Sequence, residues 1–176
     1  MKRASLLLFL LLTACQRDAS SAPAESSLAP SSSGLERAAI ETGVIADVHK
    51  LSPVGLYQRR HEAGRDILCV APDRSGHLRF GLEAVFGEKE GCRGQGMARN
   101  AGDKLILSFQ GNGKCIIVAQ YDGDQIMLPG VVDVNCAALC EGKGSVEGVS
   151  FPRIASMARA ALDARDRAGA ALCSGN

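Results

Sequence analysis

The chain has no tryptophan and only two tyrosines, Tyr57 and Tyr121. Aromatic platforms on which glycans or nucleic-acid bases could stack are therefore in short supply. The chain also lacks a strong charge of either sign, since 20 basic and 19 acidic side chains give a formal net charge of +1. A near-neutral protein has no electrostatic basis for binding a polyanion, and we expect no nucleic-acid partner.

Long hydrophobic runs are missing as well. The longest wholly apolar run, "LLLFLLL" at residues 6–12, is too short to cross a bilayer, which takes about 20 apolar residues. Lys2 and Arg3 precede this run and the small residues Thr13 and Ala14 follow it. A basic start, a short apolar stretch and small residues before a cleavage point are typical of a secretory signal peptide.

The end of this signal, Leu12-Thr13-Ala14-Cys15, resembles the lipobox of bacterial lipoproteins. The resemblance implies cleavage before Cys15, a diacylglyceryl group on its sulfur and acylation of the new amine. In that family a residue other than aspartate after the cysteine, here Gln16, favours the outer membrane. We therefore expect an envelope protein anchored in a membrane through lipid on Cys15, with its domain in the periplasm. An ordinary signal peptide with a chance cysteine is the alternative.

Composition divides the chain into three parts. Residues 1–14 are the predicted signal peptide, and their removal leaves 18 basic and 19 acidic side chains, a net charge of −1. Residues 15–33 are the lipidated N-terminus and a tether rich in Ser, Ala and Pro, which has too little apolar surface to fold. Residues 34–176 are long enough for a single domain with a real core.

Beyond Cys15 the chain has an even set of cysteines, and in an oxidising compartment such a set predicts disulfides without a free thiol. The sequence alone does not choose among the possible pairings. We predict Cys69–Cys92, Cys115–Cys136 and Cys140–Cys173.

Period-two alternation of apolar and polar residues dominates the middle of the chain and predicts half-buried strands. It is clearest in "HLRFGLEAVF" (77–86), which places Phe80 and Leu82 on a buried face and Arg79 and Glu83 on a face toward water or a polar rim. Further strands are expected at 54–60, 65–71, 92–99, 104–109, 115–121 and 124–128, with a possible eighth at 144–150.

Turn-forming residues separate these runs, and Asp122-Gly123 is a hairpin signal. The pattern predicts a mainly β fold, an antiparallel meander forming a small barrel or sandwich. Short helices are expected at residues 35–42 and 156–168. Four residues of the second helix are expected to face the sheet: Met157, Ala161, Leu162 and Ala168.

Four central stretches resemble a group of short, uncharacterised alphaproteobacterial lipoproteins, and this resemblance implies no activity. The stretches are "GLYQRRHEAGRDILCV", "LRFGLEAVFG", "YDGDQIMLPG" and "CAALCEGKGSVEGV". At the level of architecture only, the expected domain is similar to small periplasmic lysozyme-inhibitor lipoproteins, which are compact disulfide-bearing β-barrels.

The pair Cys136-Ala-Ala-Leu-Cys140 resembles the cysteines of copper-delivery lipoproteins of the thioredoxin-like class. That class needs a histidine after the pair and a parallel sheet, whereas His49, His61 and His77 all precede it. We favour two separate structural disulfides.

Other motifs have simpler explanations. Gly94 and Gly96 share a strand face, which suits close packing against a phenylalanine. Asp122 and Asp124 do not follow the calcium-loop order, and a hairpin turn explains them. The polar run Arg59-Arg60-His61-Glu62 suits a solvated loop tip.

These observations favour a non-enzymatic module that binds a protein or small ligand in the envelope, with no cofactor or metal. No G-x-S-x-G nucleophile elbow is present. Two alternatives are kept: copper or thiol handling through Cys136 and Cys140, and a small hydrolase that uses His61.

Overall fold

The computed structural model describes residues 34–47, 50–111 and 114–173. The predicted signal peptide, Cys15 and the tether lie outside these ranges. The described elements are two short helices, nine strands and one 3₁₀ helix. Their bounds are α1 Gly34–Glu41, β1 Gly55–His61, β2 Gly64–Pro72, β3 Leu78–Val85, β4 Gly91–Ala101, β5 Lys104–Phe109, β6 Ile116–Tyr121, β7 Gln125–Met127, the 3₁₀ helix Val134–Leu139, β8 Cys140–Glu141, β9 Ser150–Ala155 and α2 Ala158–Leu162.

Eight strands form a closed antiparallel barrel. Their order around the barrel is β3-β2-β1-β9-β7-β6-β5-β4, and the pairing of β3 with β4 closes the ring. The extra strand β8 pairs with the start of β4. The predicted mainly β meander with flanking helices is confirmed, and the barrel is formed rather than the sandwich. No described helix has the length and apolar character needed to cross a membrane.

The predicted eighth strand was wrong. Residues 144–149 are irregular, with a turn at 147–148, where the Ser145 hydroxyl accepts a hydrogen bond from the Glu147 amide and Gly148 has a φ of 68°. The strand begins at Ser150 and includes Pro152, which the alternation pattern did not reveal. The C-terminal helix is also shorter than expected, because the chain leaves α2 after Leu162 to pack against the barrel wall.

The barrel interior is filled by side chains, as the alternation predicted. Phe80 and Leu82 are 1% and 0% exposed, which confirms their predicted burial. The rings of Phe80 and Phe109 meet edge to face, with centroids 4.8 Å apart. A Cβ on Gly94 would overlap the Phe109 ring, so the close packing expected of this glycine is confirmed.

A second apolar layer covers the outside of the barrel at β1–β3. Ile67, Cys69 and Ala71 of β2 pack there against Ala161, Ala164 and Leu172 of the C-terminal segment. Gly81 allows this approach, because a Cβ at that position would collide with the Leu172 carbonyl group. The expected packing of Ala161 on the sheet is confirmed, while Met157, Leu162 and Ala168, expected to do the same, are exposed, because the helix is confined to Ala158–Leu162.

This outer layer corrects the expectation for Glu83. Its side chain faces outward from β3, as the alternation predicted, but it is only 9% exposed, because the C-terminal segment covers it. Its carboxylate accepts a hydrogen bond of 2.8 Å from the Arg167 amide.

All six described cysteines form disulfides: Cys69–Cys173, Cys92–Cys140 and Cys115–Cys136. The predicted Cys115–Cys136 bridge is confirmed, and the other two pairings were wrong. Cys69 packs in the outer layer and Cys92 in the barrel core, so the two sulfurs point to opposite faces of the wall. Cys92 instead lies directly opposite Cys140 in the β4–β8 ladder.

Candidate functional site

The barrel has two ends, and each is closed by a different part of the chain. Residues 51–53 run across the mouth from which β1 begins, and we call this the strap end. The 3₁₀ helix Val134–Leu139, tied to β6 through Cys115–Cys136, closes the opposite mouth, which we call the plug end. Polar side chains gather at both ends.

A buried carboxylate organises the polar residues of the plug end. Asp66 is fully buried, and alternation along β2 places it on the same side as the core residue Leu68. Its Oδ2 accepts hydrogen bonds from the Arg59 guanidinium, at 2.7 and 3.2 Å. Its Oδ1 accepts one of 2.9 Å from the Val85 amide and lies 3.0 Å from His61 Nε2.

The hydrolase alternative is partly assembled by this cluster. Asp66 orients His61 through Nε2, as a carboxylate orients the histidine of a catalytic dyad or triad. In the described chain, however, no hydroxyl or thiol is hydrogen-bonded to the other ring nitrogen, so the geometry supplies no nucleophile. The predicted polar run is divided: Arg59 and His61 share Asp66, while Arg60 and Glu62 are exposed.

Sequence reasoning missed Asp66 altogether. It lies inside the expected strand 65–71, but no role was assigned to its carboxylate. The signal that could have found it is its position opposite Arg59 across the hairpin.

A charged cleft of about 350 Å³ lies on the outer surface where β3, β4, the 3₁₀ helix and the C-terminal segment meet. Glu83 and the ion pair between Arg93 and buried Asp166 line it, together with Arg167. A hydrogen bond of 3.1 Å from Arg167 Nη1 to the Gly87 carbonyl holds the Arg167 side chain in place. Opposite charges are largely matched inside this cleft, so its structure is explained without a ligand.

At the strap end, the Asn100 side-chain amide donates to the Leu51 carbonyl at 3.3 Å, and three further side chains hold Ser52 and Pro53. The Tyr121 hydroxyl and the Arg153 guanidinium both donate to the Ser52 carbonyl at 2.8 Å, and the Tyr57 hydroxyl donates to the Pro53 carbonyl at 2.8 Å. Arg153 also donates to both phenolic oxygens. Burial raises the pKa of Tyr57 well above its ordinary range, against the opposing effect of Arg153, and burial raises the pKa of Tyr121 as well.

The copper and thiol alternative loses its proposed reactive pair. Cys136 and Cys140 are not joined to each other, and each sulfur is bonded to a different cysteine elsewhere in the barrel. This is the arrangement that we favoured from the sequence. In the described residues no group of three or more His, Cys, Asp or Glu side chains is placed to hold a metal ion.

The Asp122 turn is structural, as expected. Asp122 Oδ1 accepts hydrogen bonds from the amides of Asp124 and Gln125 at 2.9 and 2.8 Å. Partial burial opposes ionisation, but these amides stabilise the charged carboxylate and lower the pKa of Asp122. Gly123 follows with a φ of 100°, which a hairpin turn of this kind requires.

The outer surface of β5–β7 carries a group of apolar side chains that the described chain leaves half-buried or exposed. Ile106 and Val118 lie opposite each other across β5 and β6, and Ile116 follows on the same face. Ile116 is 53% exposed, Val118 50% and Met127 of β7 40%. We call this surface the bare wall, defined by Ile106, Ile116, Val118 and Met127.

The fold and these sites define a small, disulfide-stapled, closed antiparallel β-barrel with a filled interior. Comparison of the chain with protein-family models, curated proteins and solved structures found no match.

Proposed function

We propose that this chain is a lipid-anchored bacterial envelope protein whose barrel binds another envelope protein without catalysing a reaction. Lipidation at Cys15 would hold the barrel at a membrane, and the tether would separate the two. The resemblance of Leu12-Thr13-Ala14-Cys15 to a lipobox supports the anchor. The bare wall supports the binding role.

The bare wall is the observation that carries the binding proposal. Large contiguous apolar patches on the surface of a monomeric protein mark interaction sites, whereas single exposed apolar side chains are ordinary. The bare wall groups its apolar side chains on one face of neighbouring strands. The interior cannot hold a ligand in the way that wider barrels do, because residues such as Tyr57, Phe80 and Phe151 fill it. A partner must therefore engage the outside, where the bare wall is the exposed apolar surface formed by neighbouring strands.

A capture experiment tests the binding role. The purified full chain is immobilised and incubated with solubilised envelope extract. It should retain a defined protein, which mass spectrometry identifies. Ile116→Glu should abolish this capture, because a charge would be buried at the interface. Ile154→Glu is the matched control: Ile154 is equally exposed, at 54%, but lies on β9, outside the bare wall. Capture that survives Ile116→Glu would contradict this use of the surface.

The anchor is tested separately. Cys15→Ser should prevent lipidation and leave an uncleaved precursor or a soluble form. Metabolic labelling with palmitate should mark the wild-type chain and not the variant. Label that persists in Cys15→Ser would contradict the lipobox interpretation.

A further inference from the structure

The seam between β6 and β7 is one of the two shortest in the barrel, the other being the bulged seam between β1 and β9. β3 and β4 pair along the whole of β3, from Leu78 to Val85. By contrast, β6 pairs with β7 through Gln120 and Tyr121 alone. The first half of β6 therefore has β5 on one side and no ladder partner among the described residues on the other.

The hydrogen-bond pattern of β6 shows which of its groups are free. On the β5 side, the Cys115 carbonyl accepts a hydrogen bond of 3.0 Å from the Phe109 amide, and the Tyr121 amide donates one of 2.8 Å to the Asp103 carbonyl. Backbone groups alternate in direction along an antiparallel strand, so the odd-numbered residues of β6 face β5 and the even-numbered ones face the seam. Ile116 and Val118 therefore direct N–H and C=O groups away from β5, and these groups have no partner in the described chain.

Pro129 explains why the seam stops. Continuing the register of Gln120 with Met127 would place Val118 opposite Pro129. Proline has no N–H to donate, and the Pro129 carbonyl instead accepts a hydrogen bond of 2.9 Å from Gly148. The ladder consequently cannot extend past Met127, and Ile116 and Val118 form an open strand edge.

We propose that this open edge of β6 binds an extended segment of a partner protein by strand addition. Unpaired N–H and C=O groups in a row are a template for another strand, and Ile116 and Val118 supply exposed β-branched side chains beside it. This inference rests on the proposed binding function and specifies that the partner binds through an extended, strand-forming segment.

The charges around the edge specify the segment further. Arg99, in the same cross-strand row as Ile106 and Val118, is exposed and has no ion-pair partner in the described residues. The same is true of Lys114, two residues before Ile116. The fitting segment alternates β-branched residues and carries acidic ones beside the two cations.

Two other occupants suit the edge less well. A second copy of this chain would bring the same two unpaired cations to the contact. The chain's own tether, residues 16–33, contains no Val, Ile, Thr, Tyr or Phe and has Pro at two positions, so it is a poor strand former.

Amide hydrogen exchange of the full chain with a synthetic peptide, acetyl-Glu-Val-Thr-Val-Thr-Val-Glu-amide, is the direct test. Saturating peptide should slow exchange at the Ile116 and Val118 amides. The Ile117 amide is the internal control, because it already faces β5 and should not change. A matched peptide that is N-methylated at alternate residues should lose about tenfold or more in affinity, since it cannot form the new ladder.

Val118→Pro sharpens the test from the protein side. It removes an amide that bonds nothing in the described chain, so the barrel should keep its thermal transition while peptide affinity falls about tenfold. If that variant fails to fold, the N-methylated peptide decides alone. Equal binding of both peptides would overturn the inference. So would a concentration-dependent dimer with protected Ile116 and Val118 amides, because a second copy would then occupy the edge. Envelope capture that is unaffected by Val118→Pro would leave the binding function standing and overturn the edge.

Discussion

The two walls of the barrel share one core but differ on the outside. On β1–β3 the outer face carries Ile67, Cys69 and Ala71 and is covered by the C-terminal segment, which the Cys69–Cys173 bridge attaches. On β5–β7 several outward positions are also apolar, namely Ile106, Ile116, Val118 and Met127, yet the described chain leaves them half-buried or exposed. Similar strands thus have different roles: one wall completes the fold, and the other is free to make contacts beyond it.

The largest expected effect concerns the core that both walls share. Phe80→Ala should lower the free energy of unfolding by about 3–5 kcal/mol, because it leaves a cavity beside Phe109. Arg79→Ala on the opposite face should change it by less than about 1 kcal/mol. Denaturant melts with the disulfides intact measure both. A greater loss in Arg79→Ala would contradict the register of β3.

The Cys69–Cys173 bridge, which attaches the C-terminal segment to β1–β3, should contribute more to stability than the Cys115–Cys136 bridge of the plug end. Replacing Cys69 and Cys173 together by Ala should cost about 2–4 kcal/mol, because their bridge spans 104 residues. Replacing Cys115 and Cys136 should cost roughly 1 kcal/mol less, since that bridge spans 21 residues. Chemical denaturation of the two double variants compares them, and the reverse order would count against a chain-entropy origin.

Packing of the C-terminal segment should contribute measurably by itself. Leu172 is fully buried in the outer layer, and Leu172→Ala should cost about 2 kcal/mol. Leu162→Ala, at a position 40% exposed on the same segment, should cost well under half as much. Denaturant melts measure both losses in the free energy of unfolding. Equal losses in the two variants would show that apolar burial does not hold the segment.

A smaller, pH-dependent effect distinguishes the two tyrosines of the strap end, one from each wall. Tyr57 holds its proton more firmly in the folded than in the unfolded state, so its stabilising contribution is complete below about pH 10 and is lost as pH rises from there. Tyr57→Phe should flatten this alkaline loss of stability. Tyr121→Phe should flatten it less, because the pKa shift of Tyr121 is the smaller one. Thermal melts from pH 8 to about pH 11 decide the order.

The smallest effect is expected on the bare wall. Ile116→Thr keeps β-branching and removes apolar surface that the fold does not bury, so the melting transition should stay within about 0.5 kcal/mol of the wild type. Partner capture should nevertheless weaken. A marked loss of stability would mean that the wall is covered by part of the same chain.

Particular residues show how far sequence reasoning reached into the site. The alternation in β3 located Phe80 and Leu82 correctly, and the bounds expected for β5 match the observed ones. The same reasoning missed Asp66, Arg153 and the open edge at Val118. Each of these depends on which strand lies next to which, and a period of two along one strand contains no information about its neighbours.

Local chemistry in the sequence was enough to predict a meander of short strands, three disulfides and a hairpin at Asp122. Alternating burial, cysteine count and turn residues act over a few positions, so they can be read along the chain. Only the tertiary structure decided that Cys69 meets Cys173 rather than Cys92, that Glu83 is covered, and that β6 keeps a free edge. Those outcomes follow from barrel closure, which sets the face on which each side chain lies, and from Pro129, whose missing N–H matters only because Val118 comes opposite it.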